Sequence, residues 1–115
     1  MLTFTSRRTF LTGALILVGI ATSLPVAGQD AVKKGQEVYT AQKCSVCHSI
    51  AGKGGKASPL DGVGAKLSAD DIKQWITHPK EAAAKANSTK KPAMPAKYGT
   101  LPAADIDALV AYMAS

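Results

Sequence analysis

Both cysteines of the chain lie in one pentapeptide, Cys44-Ser45-Val46-Cys47-His48, and a histidine follows the second directly. This clustering constrains the fold more than any other feature. A disulfide between residues three apart would close a tiny loop and remove little entropy from the unfolded chain. The sulfur therefore cannot staple the domain in the usual way, and the apolar supply is thin. Residues 29–115 contain no Phe, one Trp (Trp75) and three Tyr (Tyr39, Tyr98, Tyr112). A domain of that size buries only about 60% of its unfolded surface and ordinarily needs a metal or another staple. Something besides side chains is expected to fill its core.

Residues 1–28 read as an export signal set apart from the domain at 29–115. Arg7 and Arg8 form a basic start, an apolar stretch runs from Phe10 to Ile20, and small residues surround Val26, Ala27 and Gly28. A membrane anchor would need about 20 apolar residues, and Thr12, Gly13, Thr22 and Ser23 interrupt this one. The order Ser6-Arg7-Arg8-Thr9-Phe10-Leu11 also resembles the twin-arginine export motif, which leaves twin-arginine and general secretory export both open. Either route leads out of the cytoplasm, to the periplasm. Cleavage after Gly28 leaves 12 lysines, no arginine and eight acids, a net charge of +4.

Three helices are expected after the signal. The first spans about Ala31 to Gln42, where Val32, Gly35, Val38 and Tyr39 recur at helical spacing. Ser68 followed by Asp71 forms a capping arrangement for the second, with Ile72, Trp75 and Ile76 inward and Pro79 as its stop. Pro102 opens the third, whose apolar side carries Ile106, Leu109, Val110 and Met113. No alternating β-branched run predicts a strand. Two long loops, Ile50–Leu67 and Lys80–Leu101, have little of their own to bury, and "GKGGK" reads as a flexible surface loop. Loops of this length are usually functional or disordered; these read as wrapped around something.

Four readings compete for the pentapeptide. Zinc generally takes four ligands; with no second cysteine pair, His48 and His78 would have to complete a set at an unfamiliar spacing. A redox dithiol expects a βαβ context. A bare disulfide leaves His48 unexplained. The fourth reading meets every constraint: the two thiols add to the vinyl groups of a haem, and the adjacent histidine offers a ring nitrogen to the iron. A haem also supplies the missing apolar core. For a sixth ligand the candidates are Met94, Met113, His78 and the lysines. Met113 falls on the packed face of the last helix, and His78 reads as a helix cap. Met94 stands in a loop between Pro92 and Pro95, where restricted chain freedom lowers the cost of holding a weak thioether ligand.

From about residue 30 to 115 the chain resembles a small class I cytochrome c of the bacterial mono-haem type. The resemblance rests on "GQEVYTAQKCSVCH", "PLDGVGAKL", "DIKQWITHPK", "PAMP" and "DIDALVAYM". It implies an all-α fold of about three main helices, with loops wrapped around one covalent haem c. Gly35 and Tyr39 would cross the last helix near Leu109 and Tyr112. Leu60 would cover the histidine side of the haem, and Trp75 would pack on the methionine side. Relatives place a proline two before this leucine, its carbonyl accepting the ligand histidine's second proton. Here Pro59 directly precedes Leu60, so Ser58 or Pro59 is expected to accept it.

With Cys44, Cys47, His48 and Met94 committed to the haem, the function implied is one-electron transfer without an enzymatic reaction. The alternatives are a haem subunit of a larger dehydrogenase or oxidase, and a gas- or peroxide-binding protein in which Met94 leaves. The lysine excess favours redox partners with acidic docking surfaces, such as a membrane oxidoreductase or terminal oxidase. Nucleic acid fits poorly, because residues 29–115 have neither arginine nor an aromatic platform.

Overall fold

The computed structural model describes residues 26–115. The expected export signal falls, through residue 25, outside the described residues. The elements run α1 (Val26–Ala41), a 3-10 turn (Cys44–Val46), β1 (His48–Ile50), β2 (Lys53–Gly54), β3 (Ser58–Pro59), α2 (Val63–Lys66), α3 (Ala69–Thr77), α4 (Pro79–Lys85), a second 3-10 segment (Ala96–Thr100) and α5 (Ala103–Ala114). No helix among them is long and apolar enough to cross a membrane.

The fold is organised by α1 crossing α5. Their axes approach closely because position 35 has no side chain. A Cβ on Gly35 would overlap the Ala108 carbonyl oxygen and lie 2.6 Å from Tyr112 Cβ. One helical turn on, Tyr39 meets Tyr112 edge to face, with ring centroids 5.6 Å apart and planes at 72°, a favoured aromatic geometry. The α3 helix packs onto α5 and adds Ile72 and Ile76 to a core of Val38, Tyr39, Ile106 and Leu109. This is the expected all-α core, and Gly35 and Tyr39 cross α5 where anticipated.

Helix ends follow local chemistry. Ser68 accepts a hydrogen bond from the Asp71 amide at 3.1 Å and caps α3. Pro79 does not simply stop that helix, as expected from sequence; it begins α4. After His78 leaves helical geometry, proline's fixed φ and missing N–H suit a first helical position. The α4 helix closes through Asn87 in the left-handed region (φ 50°), with Asn87 N–H bonded to Ala84 O at 3.2 Å and Ser88 N–H to Ala83 O at 2.9 Å. This is the Schellman pattern. Pro102 lies one residue before α5 rather than inside its first turn, and α1 starts at Val26, earlier than Ala31.

The expectation of no strand also fails, on a small scale. Three strands of two or three residues form a sheet in the order β2-β1-β3, with β1–β2 antiparallel and β1–β3 parallel. They are too short to show alternation, so the pairing follows from how the chain folds back. The two long loops contain β2, β3, α2 and α4 and are structured segments.

Candidate haem-attachment site

The pentapeptide begins where α1 ends. Gln42 N–H still bonds Val38 O at 2.9 Å, and Lys43 then turns left-handed (φ 55°, ψ 37°), directing Cys44 out of the helix axis. Cys44–Val46 form a single 3-10 turn. Cys44 is half-buried against the core, whereas Cys47 is exposed, and no disulfide joins them. Burial raises the Cys44 thiol pKa above its ordinary value, and nearby Cys47 adds to the rise, against a lowering backbone hydrogen bond.

Two glycines from the supposedly flexible "GKGGK" stretch back this turn. A Cβ on Gly54, whose φ is +112°, would overlap the His48 carbonyl oxygen. A Cβ on Gly55 would overlap Val46 O and lie 2.9 Å from Cys47 Cα. Gly55 N–H donates to Ser45 O at 2.8 Å. The sequence reading missed this role; the available signal was a pair of glycines closely following two cysteines, where backbone must approach backbone.

His48 starts β1, and β3 runs parallel beside it, pairing His48 with Ser58 and Ser49 with Pro59. The His48 Nδ1 lies 2.9 Å from Ser58 O. A carbonyl oxygen only accepts, so Nδ1 carries a proton, and in the neutral ring the lone pair is then on Nε2. Ser58, one of the two acceptors anticipated, holds the ring in the tautomer that an iron ligand requires. Tyr39 Oη donates to His48 O at 3.3 Å, a long bond. Burial first, and then Cys44, raises the Tyr39 pKa, keeping the hydroxyl protonated as a donor.

Leu60 follows β3, its N–H bonded to Ser49 O at 2.9 Å, and its half-buried side chain packs against the core. Met94 is half-buried against the same cluster, in the irregular limb between α4 and the second 3-10 segment. Trp75 is half-buried elsewhere, in a cleft of about 200 Å³ that it shares with Leu67, Gln74, Ala82 and Lys85. Cys44, Cys47 and His48 do not line that cleft. His78 is exposed, with Nδ1 2.8 Å from Thr77 Oγ1 and its N–H bonded to Gln74 O, so it terminates α3 as a cap. Met113, like Met94, packs against the buried cluster, but from α5.

These features fit a haem on two counts. No side chain among the described residues is completely buried; even Ile72, Ala82 and Leu109 keep 4% exposure. Side chains alone leave this core unfinished. The donor set is also right: two thiols and an imidazole within five residues, and a half-buried thioether packed against the same core as Cys44. Zinc lacks support, since no group of three His, Cys, Asp or Glu among the described residues could hold a metal ion.

Neither curated proteins nor solved structures gave a match to the chain. The family comparison did: the cytochrome c profile matches residues 32–115, from the first helix through the last. The chain therefore belongs to the cytochrome c family, whose domain carries covalently attached haem c with its iron and serves electron transfer.

Proposed function

We propose that this protein is a periplasmic one-electron carrier, with haem attached through Cys44 and Cys47 and its iron held between His48 and Met94. When bound, the haem supplies an iron that cycles between Fe(II) and Fe(III). Each cysteine adds its sulfur to one vinyl carbon and its proton to the other, so attachment requires no oxidant. His48 binds through Nε2 because Nδ1 donates to Ser58 O; this bond is the observation that carries the reading. Met94 offers Sδ, a thioether that raises the potential relative to a second imidazole. Leu60, packed against the core beside Ser49, would exclude water on the histidine side; Trp75 is assigned to the methionine side by the family resemblance alone. With His48 and Met94 both holding the iron, electron exchange rather than substrate binding would be its chemistry.

The lysines support a docking role. Lys34, Lys73 and Lys85 pair with Asp105, Asp107 and Asp71. Lys43, Lys53, Lys90, Lys91 and Lys97, flanking the pentapeptide and the Met94 limb, have no carboxylate partner among the described residues. An acidic partner at a membrane surface facing the periplasm would complement them and speed encounter. Exposed charges are screened beyond about 8 Å at physiological ionic strength, so the rate with such a partner should fall as salt rises. A flat profile would count against lysine docking.

The decisive experiment is the ferric absorption spectrum. The sulfur-to-iron band in the far red should be present in the native protein and absent in Met94→Ala. Its persistence in Met94→Ala would assign the sixth position to Met113 or another group.

A further inference from the structure

The two limbs that carry His48 and Met94 are far apart in sequence, yet one side chain joins them. Lys90 Nζ donates to Ala57 O at 3.1 Å, across 33 positions. Ala57 belongs to the segment that positions the histidine. The next amide, Ser58 N–H, donates to Cys47 O at 3.3 Å, Ser58 O accepts from His48 Nδ1 at 2.9 Å, and Leu60 N–H donates to Ser49 O at 2.9 Å. Lys90 therefore attaches to the same short ladder that orients the imidazole.

The other limb has few attachments. The Schellman bonds at Asn87 and Ser88 secure its beginning, and the second 3-10 segment, packed on α3, secures its end. Between them, among the described residues, Lys90 makes the only hydrogen bond from residues 89–94 to a part of the chain beyond the limb. Lys90 also has no carboxylate partner among the described residues.

We infer that Lys90 is a positioning residue: its ammonium straps the Met94 limb to the His48 limb and so limits how often the methionine side opens. The inference rests on the His48/Met94 reading above. An external ligand reaches the iron only when the limb is open, so its apparent affinity is reduced by the open fraction. The strap lowers that fraction. Loss of one such hydrogen bond should raise the open fraction about five-fold.

The test uses ferric holoprotein titrated with imidazole, following loss of the far-red band. Lys90→Met keeps the length of the side chain but not the donor, and should bind imidazole about five-fold more tightly. Lys90→Arg should stay near the native affinity. Lys91→Met removes a neighbouring charge without touching the strap and should change little. Native affinity in Lys90→Met overturns the inference, as does an equal shift in Lys91→Met, which would mean a general charge effect. Backbone amide order parameters over residues 89–94 supply a readout independent of the sixth ligand. They should be lower in Lys90→Met than in the native protein, and unchanged values overturn the strap even if Met94 proves not to bind iron. A far-red band that survives Met94→Ala, with order parameters still lower in Lys90→Met, would remove the ligand assignment and leave the strap standing.

Discussion

The helical crossing and the loops that bear the candidate ligands are held together by different physics. Where α1, α3 and α5 meet, Val38, Tyr39, Ile72, Ile76, Ile106 and Leu109 pack side chain against side chain. Each aliphatic member contributes about 1.5–3 kcal/mol through burial. Around residues 44–60 the contacts are mostly backbone to backbone: Gly55 to Ser45, Ser58 to Cys47, Leu60 to Ser49. Such bonds add only about 0.5–1.5 kcal/mol net apiece. The exposed Val46, at 72%, marks how little the pentapeptide turn buries on its own. The first region is packed mainly by its own side chains, whereas the second supplies geometry and relies on the haem for apolar contact.

This contrast can be broken by experiment. The largest effect should come from Cys44→Ala/Cys47→Ala, which removes both attachment points. Acidified acetone should then extract any haem, whereas the native protein should retain it through the same treatment. A native preparation whose mass lacks the haem increment would refute covalent attachment.

Next is Gly35→Ala. The new Cβ meets the Ala108 carbonyl, which is backbone and cannot rotate away, so α1 and α5 must separate. The cost should be at the upper end of about 1–3 kcal/mol for overpacking, read from denaturant unfolding of the holoprotein. Haem content should be nearly native, because the damage lies in the helical region.

Gly55→Ala should show the reverse balance. Its Cβ would press on Val46 O and on the Cys47 backbone, shifting the very turn that presents the thiols. A loss of roughly 1–2 kcal/mol is expected, together with a clear fall in the fraction of chains carrying haem. If Gly35→Ala and Gly55→Ala depress haem content equally, the two regions are not energetically separable.

The smallest effect sharpens the helical side. Ser68→Ala removes the α3 cap and should cost about 1 kcal/mol. It should also alter the acid limb of stability. The hydrogen bond from Ser68, followed by Lys85, lowers the Asp71 pKa below its model-compound value of 3.8. A carboxylate lowered on folding stabilises the protein above its unfolded pKa, and that contribution disappears as pH falls through the folded value. The gap between the denaturation midpoints of Ser68→Ala and native protein should therefore narrow as pH falls below about 4, while the part due to the Asp71 amide bond persists.

Much of the helical region was legible because its signals are local. The period of Ile72 and Ile76, the Ser68–Asp71 cap and the Gly35–Tyr39 face all survive in the structure. The α4 helix was legible too, though the reading of Pro79 as a stop concealed it. Glu81 in its first turn, three successive alanines, Lys85 in its last turn and Asn87 just beyond are ordinary helix signals. The sheet was not legible, since strands of two or three residues are too short to display a period.

The sequence by itself determined the chemistry: two thiols and an imidazole in five residues, a methionine between prolines, and too few large apolar side chains to complete a core. These are matters of composition and short spacing, which need no fold to be read. Tertiary structure decided which carbonyl orients His48, that Gly54 and Gly55 back the cysteine turn, and that Lys90 reaches Ala57. Each of those depends on backbone atoms, and every residue carries the same carbonyl and, except proline, the same amide. Only the folded path of the chain selects which of these identical groups meet.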